Sequence, residues 1–424
     1  MHVKISRVME TLQVINQMGE TNHGIERLAY TLEEQQAKQY ILKECKKLGM
    51  ETSVDAAGNV IAKLPGTDPY LPAVAIGSHL DTVYSGGRYD GALGVVAGLE
   101  IVRTMVEEGI ETAHSVELIA FACEESSRFN FATLGSKAMT GKVDQETLEE
   151  LQDKDGISLR NAVVNQGLEL DQFLSANRKN TPLKAFYELH IEQGLKLIDE
   201  KKSVGIVTGV AAPLRLAIEI EGRSSHSGTT GMTQRKDALL SASELSLAVE
   251  KAALLEEDFG TVATVGVLEL APGAMNVVPG YASLKVDIRS TNVESRNRVL
   301  NRIKERAELL EEKRGTTISM KVIQEDQPVI MDEKGRKSLA KTCEDVGVSY
   351  LFMASGAGHD AMNMATCWPS ALIFVPSVDG LSHHPDEFTE EKDIETGLKV
   401  LEAEVLKQAV IVSKGEDQHA STGI

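Results

Sequence analysis

One stretch, residues 77–94 (GSHLDTVYSGGRYDGALG), constrains the fold more than any other part of this 424-residue chain. The apolar run at 73–76 reads as a short buried strand that stops at Gly77 and delivers His79 and Asp81 at its carboxyl end. Open α/β sheets keep their ligands at that edge. A glycine-rich turn, 85–88, then leads to Asp90 and to 91–100, the first turns of a helix. Taken alone, Asp90 reads as a helix N-cap, because a carboxylate there meets free N–H groups and the positive end of the helix dipole. His79 and Asp81 at the same edge change the balance, since an imidazole with carboxylates is the ligand set of a divalent metal.

The length exceeds that at which one core usually keeps growing, so two domains are expected. An excess of 63 acidic over 44 basic side chains gives a formal charge of −19, unfavourable to phosphate backbones, and nucleic acid is not an expected partner. No apolar stretch is long enough to cross a bilayer, and the opening MHVKISRVME reads as an amphipathic helix start rather than a signal peptide. No membrane partner is expected, and the cytosol is the default. Cys45, Cys123, Cys343 and Cys367 form no CxxC pair and read as reduced, mostly buried thiols.

Taken in order, 31–49 carries a capping-box signature, Thr31 with Glu34, and two short strands follow at 51–55 and 59–64. A helix at 95–108 leads to an apolar strand, 116–123, which ends in Glu124 and Glu125. The plainer reading of that pair is a solvated acidic surface. Two adjacent carboxylates terminating a buried run would be costly without cations, however, and a metal resolves the cost. One glutamate can bind it while its neighbour stays free as a base. A polar helical excursion, 144–180, carries no assigned chemistry. The strand at 185–189 then delivers His190, with Gln193 just beyond; a lone histidine there is more often structural, but this is the third strand end to present a metal-type ligand.

From Ala212 the character changes. Leu214, Leu216, Ile218 and Ile220 alternate with Arg215, Ala217, Glu219 and Glu221, the period of a half-buried strand. Helices at 236–250 and 293–311 and strands at 262–270, 281–288 and 317–323 complete an insert of two helices on a four-stranded, mostly antiparallel sheet, placed at 212–327. It carries His226, Asn276 and Arg289, read in isolation as a glycine-loop residue, a turn former and a surface strand charge. The α/β pattern resumes with a helix at 335–346. SGAGHDAMNM then places Gly356 and Gly358 in a loop suited to backbone contact with a polar ligand, and a strand at 371–375 leads to GLSHHPDE and a last helix at 389–412. The expected fold is therefore α/β: a domain with a mostly parallel, helix-covered sheet, split into 1–211 and 328–412 around the α+β insert, with a disordered tail at 413–424.

The inventory at strand ends is His79, Asp90, Glu125, His190 and His383, with Glu124 free. This set fits two cations bridged by one carboxylate, for which Asp90 is the candidate. His79 and His190 would complete one site, Glu125 and His383 the other, and Asp81 would fix the His79 tautomer. Glu124 would take a proton from the attacking water and pass it to a leaving nitrogen. Mn, Co, Ni or Zn all suit such donors.

GSHLDTVYSGGRYDG, FACEESSRF, LGSKAMTG, ELHIEQG, HSGTTGM, NVVPG, SGAGHDA and GLSHHPDE, in this order over nearly the whole chain, together resemble the hydantoinase/carbamoylase amidase branch of the M20 metallopeptidase superfamily. The resemblance implies the same five ligands with Glu124 as general base, and hydrolysis of an N-carbamoyl-L-amino acid, allantoate or a β-ureido acid. It also implies a homodimer formed through the insert. His226 and Asn276 would reach the partner's active site, His226 stabilising the oxyanion, while Arg289 and Gln193 hold a substrate bearing a carboxylate. His190 stands where the superfamily's peptidases have an acidic ligand, which favours the amidase branch. Gly231 replaces the proline common in HxGxTPM and leaves the His226 loop contact open. His383 is taken over His384 by motif position. A catalytically silent dimeric binding module is the non-enzyme alternative; the intact ligand set argues against it.

Overall fold

The structure, a computed structural model, describes residues 3–410. The tail expected at 413–424, and the last two residues of the helix expected at 389–412, lie outside them. Among the described residues no helix is long and apolar enough to cross a membrane. The chain divides into two compact units. One extends to Thr208 and resumes over Met331–Met353 and from His359 onward; the other takes Gly209–Ile330 with Ala354–Gly358.

The first unit is a mixed α/β body. Its sheet runs in the order Glu51–Val54, Val60–Leu64, Val116–Phe121, Ala73–His79, Leu183–Ile191, Ser370–Val375 and Val204–Val210. The strands from Val116–Phe121 to Ser370–Val375 are mutually parallel, and those outside them pair antiparallel. Every residue of Ala73–His79, Val116–Phe121 and Ser370–Val375 is buried, the signature of strands covered on both faces. Helix Ala92–Glu107 contributes Val95, Val96, Leu99 and Val102 to the core on one of those faces.

Two local expectations change. The strand expected to stop at Gly77 continues to His79, because Gly77 and Ser78 pair with Ile119 and Ala120. Gly77 marks a close approach instead: a Cβ there would lie 2.6 Å from the Ile119 carbonyl oxygen. Strands Val204–Val210 and Tyr350–Ser355 form although the sequence reading assigned neither. The glycines of VGIVTGV obscure the first of them, and Gly205 is needed because a Cβ would fall 2.5 Å from Met353 Sδ. Half of the expected capping box forms: Thr31 Oγ1 accepts from Glu34 N at 3.4 Å, but Glu34 Oε2 accepts from Tyr30 N at 2.6 Å, one residue before the N-cap, whose own N–H donates to the Leu28 carbonyl.

The second unit is a four-stranded antiparallel sheet in the order Val262–Ala271, Tyr281–Ser290, Ala212–Glu221, Thr317–Glu325, with helices Ala238–Leu254 and Val293–Arg314. Leu214, Leu216, Ile218 and Ile220 are buried with Leu245, Val249, Val299 and Ile303 of the helices, so one sheet face makes the core and the alternation in sequence is its cause. Asp237 and Asn292 cap the two helices through side-chain oxygens that accept from Leu240 N and Ser295 N.

Candidate metal centre

The site of the first unit follows from strand order. Val116–Phe121, Ala73–His79, Leu183–Ile191 and Ser370–Val375 lie side by side and point the same way, so their carboxyl ends share one edge. Glu124 and Glu125 follow the first, His79 ends the second, His190 is near the end of the third, and His383 sits in the loop after the fourth. Topology alone brings together residues from four separated segments.

Among the described residues, three overlapping sets could hold a metal ion, each with ligand atoms within 4.8 Å of one another: His79 with Asp90 and His190, His79 with Glu124 and Glu125, and Asp90 with Glu125 and His383. Asp90 joins two of them through different oxygens. Its Oδ1 lies 3.3 Å from His79 Nε2 and 3.2 Å from His190 Nε2, and its Oδ2 lies 3.5 Å from His383 Nε2. His383 Nε2 is 3.1 Å from Glu125 Oε1, and Glu124 Oε2 is 3.7 Å from His79 Nε2. His79 Nδ1 is bound to the Asp81 carbonyl at 3.0 Å and His190 Nδ1 to the Ile191 carbonyl at 2.9 Å, which turns both Nε2 atoms inward, where that of His190 accepts from Gly91 N at 3.2 Å. This donor set, imidazole nitrogen and carboxylate oxygen only, fits a borderline divalent cation.

Electrostatics agree with that fit. Burial, outweighing the pull of His79, pushes Glu124 well above the usual carboxylate range, and burial likewise raises Glu125 against its hydrogen bond from His383. Burial would also raise Asp90, but His190 and His79 outweigh it and hold Asp90 well below. Burial disfavours the charge of His79, yet Glu124, Asp90 and Asp81 draw it well above the usual imidazole range. The hydrogen bond to Glu125 takes His383 up to about 9. A field that favours a proton on these imidazoles favours a divalent cation between them still more.

Asp90 is not the helix cap. The N-cap position is Gly91, with φ 64 and ψ −50, and the Asp90 carboxylate turns away toward the histidines. Asp81 departs from the expected arrangement too: its carboxylate stands 3.7 Å from His79 Nδ1 and instead accepts from Glu124 N at 3.1 Å and Glu125 N at 3.0 Å. The backbone carbonyl of Asp81 fixes the tautomer, while its carboxylate fixes the glutamate pair. Gln193 Nε2 donates to Asp90 Oδ2 at 2.7 Å, leaving Gln193 Oε1 buried without a partner. Cys123, Gln193 and His383 adopt φ of 52, 59 and 56, the left-handed region that non-glycine residues seldom occupy. His384 is not in the cluster; its Nδ1 accepts from Asp386 N.

The remaining candidates belong to the second unit. His226 and Asn276 lie together on an exposed ribbon, where Ser225–His226 pairs with Val277–Val278 and Ser227 N donates to the Asn276 carbonyl. Arg289 donates to the Gly356 carbonyl at 3.0 Å and is braced by Asp287, with Nη2 to Oδ2 at 3.2 Å. Gly358 is exposed. The sequence reading missed Ser382 and Glu387, both hydrogen-bonded around Asp90; only their place in GLSHHPDE could have drawn attention to them.

A parallel-sheet edge that gathers histidines and carboxylates defines a metal-dependent hydrolase. Residues 75–407 match the model of peptidase family M20/M25/M40, and the chain belongs to that family. It is 46% identical to an uncharacterized hydrolase of Haemophilus influenzae over 97% of this chain and all of that one. It is 38% identical to an N-carbamoyl-L-amino acid amidohydrolase of Geobacillus stearothermophilus, covering 93% of this chain and 96% of the relative. A ureidoglycolate hydrolase of Arabidopsis thaliana is 37% identical, with coverage of 91% and 82%. Among solved structures, a hydantoinase/carbamoylase family amidase of Burkholderia multivorans is similar with a TM-score of 0.90 and 32% identity, covering 96% of this chain and 98% of that one. The protein is accordingly a metal-dependent amidohydrolase acting on carbon–nitrogen bonds other than the peptide bond.

Proposed function

We propose that the protein holds two divalent cations, from Mn, Co, Ni or Zn, and hydrolyses the carbamoyl C–N bond of N-carbamoyl-L-amino acids to the free amino acid, ammonia and carbon dioxide. The observation that carries this reading is the division of Asp90: Oδ1 faces His79 and His190, and Oδ2 faces His383 beside Glu125, with Glu124 left over. Cations held there would polarise the scissile carbonyl and make water acidic near neutral pH. Glu124 accepts the proton of the attacking water and returns it to the departing nitrogen, a role suited to a buried carboxylate of raised basicity. Asp81 keeps Glu124 and Glu125 in place through their backbone N–H groups. Gln193 turns its unpartnered Oε1 toward a donor on the substrate. Arg289, held by Asp287, pairs with the substrate carboxylate, and the Gly356 and Gly358 backbone lines the same loop.

We further propose that the insert at 212–327 forms a homodimer and that His226 and Asn276 serve the partner's site, His226 donating to the developing oxyanion. Two features support an interface there. Leu240, Leu247 and Leu254 recur every seven residues along one helix and are 41%, 66% and 62% exposed, and strand Val262–Ala271 lies at the end of its sheet. The four free cysteines fit a reducing compartment, and we assign the protein to the cytoplasm.

The similarity to a ureidoglycolate hydrolase favours a second reading, turnover of a ureido acid with the same machinery. A panel of N-carbamoyl-L-amino acids, their D-enantiomers, allantoate, ureidoglycolate and 3-ureidopropionate, assayed with the cobalt- or manganese-loaded protein, separates the two. Turnover of the L-carbamoyl series is expected. Activity confined to allantoate or ureidoglycolate would transfer the function to the second reading, and none on any member would remove both.

A further inference from the structure

We infer that Glu387 is a positioning residue for one of the two cations, the one between Asp90, Glu125 and His383; the inference rests on the two-cation reading above. Glu387 is 2% exposed, yet its carboxylate is satisfied only by neutral donors. Oε1 accepts from Tyr89 N at 2.8 Å and Asp90 N at 3.0 Å, and Oε2, 3.2 Å from Ser382 Oγ, shares that hydroxyl's single proton with Asp90 Oδ2. That same hydroxyl lies 2.7 Å from Asp90 Oδ2, where Gln193 Nε2 also donates at 2.7 Å. One side chain therefore grips Asp90 twice, at its backbone N–H and, through Ser382, at the oxygen that faces His383.

Glu387 also belongs to the turn that carries His383. Its own N–H donates to the His384 carbonyl at 3.0 Å, and the rings of Tyr89 and Phe388 meet edge to face at 6.1 Å beside the grip. Gly87 is cut to fit it, since a Cβ there would stand 2.2 Å from the carboxyl carbon. Asp90 and Glu387 are 297 positions apart, and no secondary-structure hydrogen bond joins their two loops to each other. A buried carboxylate is an expensive way to fill space, and an apolar side chain would fill it at less cost. What an apolar side chain cannot do is hold the separation of Asp90 Oδ2 from His383 Nε2, which stands at 3.5 Å. The His79 and His190 pair faces the other oxygen and has its own backbone anchors, so Glu387 acts on one cation only.

The test is cobalt titration of the metal-free full-length protein, read by visible absorption and by equilibrium competition with a chelator. Wild type should bind two cobalt ions per chain. Glu387→Ala should bind one with wild-type affinity and the other about 10–100-fold more weakly, the range found when outer partners of metal ligands are removed. Glu387→Gln, whose amide oxygen still accepts from Tyr89 and Asp90, should recover most of that loss. If Glu387→Ala does not fold, Ser382→Ala removes the hydroxyl link alone and should weaken the same ion. Two unchanged affinities and spectra in Glu387→Ala, or in Ser382→Ala where it has to stand in, would overturn the inference while leaving the two-cation reading intact. A single cobalt ion in wild type would overturn that reading and this inference with it.

Discussion

Gly91→Ala is the sharpest probe of how the Asp90 loop is built. Gly91 adopts φ 64 and ψ −50, and Ala92 N donates to the Asp90 carbonyl at 2.6 Å, closing a three-residue turn that an L side chain resists. A Cβ at this position would stand 2.3 Å from Cε1 of His79 and 2.4 Å from both ring nitrogens. Since carbon contacts relax near 3.5–4.0 Å, the ring must retreat by roughly 1 Å. It cannot do so freely, because Nδ1 is bound to the Asp81 carbonyl and Nε2 faces Asp90. The backbone contributes on the order of 1–3 kcal/mol and the overlap about 1–3 kcal/mol more. The sum, about 2–6 kcal/mol, corresponds to a fall in melting temperature of roughly 3–10 °C for a body of this size. Gly347→Ala supplies the control, with φ +71 and nothing within 4 Å of the added Cβ, so it should lose only the backbone part. Thermal melts of both variants, metal-free and cobalt-loaded, are the assay, with cobalt affinity measured alongside. If Gly91→Ala melts with Gly347→Ala and keeps wild-type cobalt affinity, the claim that glycine is required there by the His79 ring is wrong.

Glu124→Gln should retain both cobalt ions and fold normally while turnover falls by about 10²–10⁴-fold, the usual worth of a positioned base; undiminished turnover would remove Glu124 from the mechanism. Mixing Glu124→Gln with His226→Ala subunits and allowing them to re-pair should recover activity that neither shows alone, and failure of that recovery at a confirmed dimer would confine each site to one chain. In the second unit, hydrogen bonds and charge from Arg314 and Lys313 hold Glu244 down to about 2. A carboxylate depressed below its unfolded value stabilises the fold fully above about pH 4.5 and loses that contribution as pH falls toward 2. The melting temperature of wild type minus that of Glu244→Gln should therefore be constant at neutral pH and shrink below pH 4.5; a difference that grows on acidification would reverse the assignment.

Much of the site was legible because strand ends announce themselves. His79, Glu124, Glu125 and His190 each stand at the end of an apolar run, and a chemically expensive residue in that place stands out against the run before it. The alternation from Leu214 to Ile220 was equally plain, since one covered face of a sheet imposes period two. Asp90 was readable only in company, and its local signal, a carboxylate before a helix, pointed to a cap that the structure puts at Gly91 instead. The tasks of Asp81, Gln193 and Glu387 left no local trace. Each is defined by a hydrogen bond to a residue distant in sequence, and such pairings are fixed by strand order, which no periodicity encodes.

That distinction bears on how the centre forms. Its donors come from the carboxyl ends of parallel strands and the loops after them, whose pairing demands long crossover connections and closes late because loop-closure entropy must first be met. Asp90 cannot face His190 until Ala73–His79 and Leu183–Ile191 have paired, and cannot face His383 until Ser370–Val375 has joined them. Until then the carboxylates remain apart and solvated. Their burial, which raises Glu124 and Glu125, comes only as the last strands close. Cation binding is thus coupled to the final step of assembly and stabilises the closed edge by mass action, so the metal-free protein should open first at that edge rather than in the sheet beneath it.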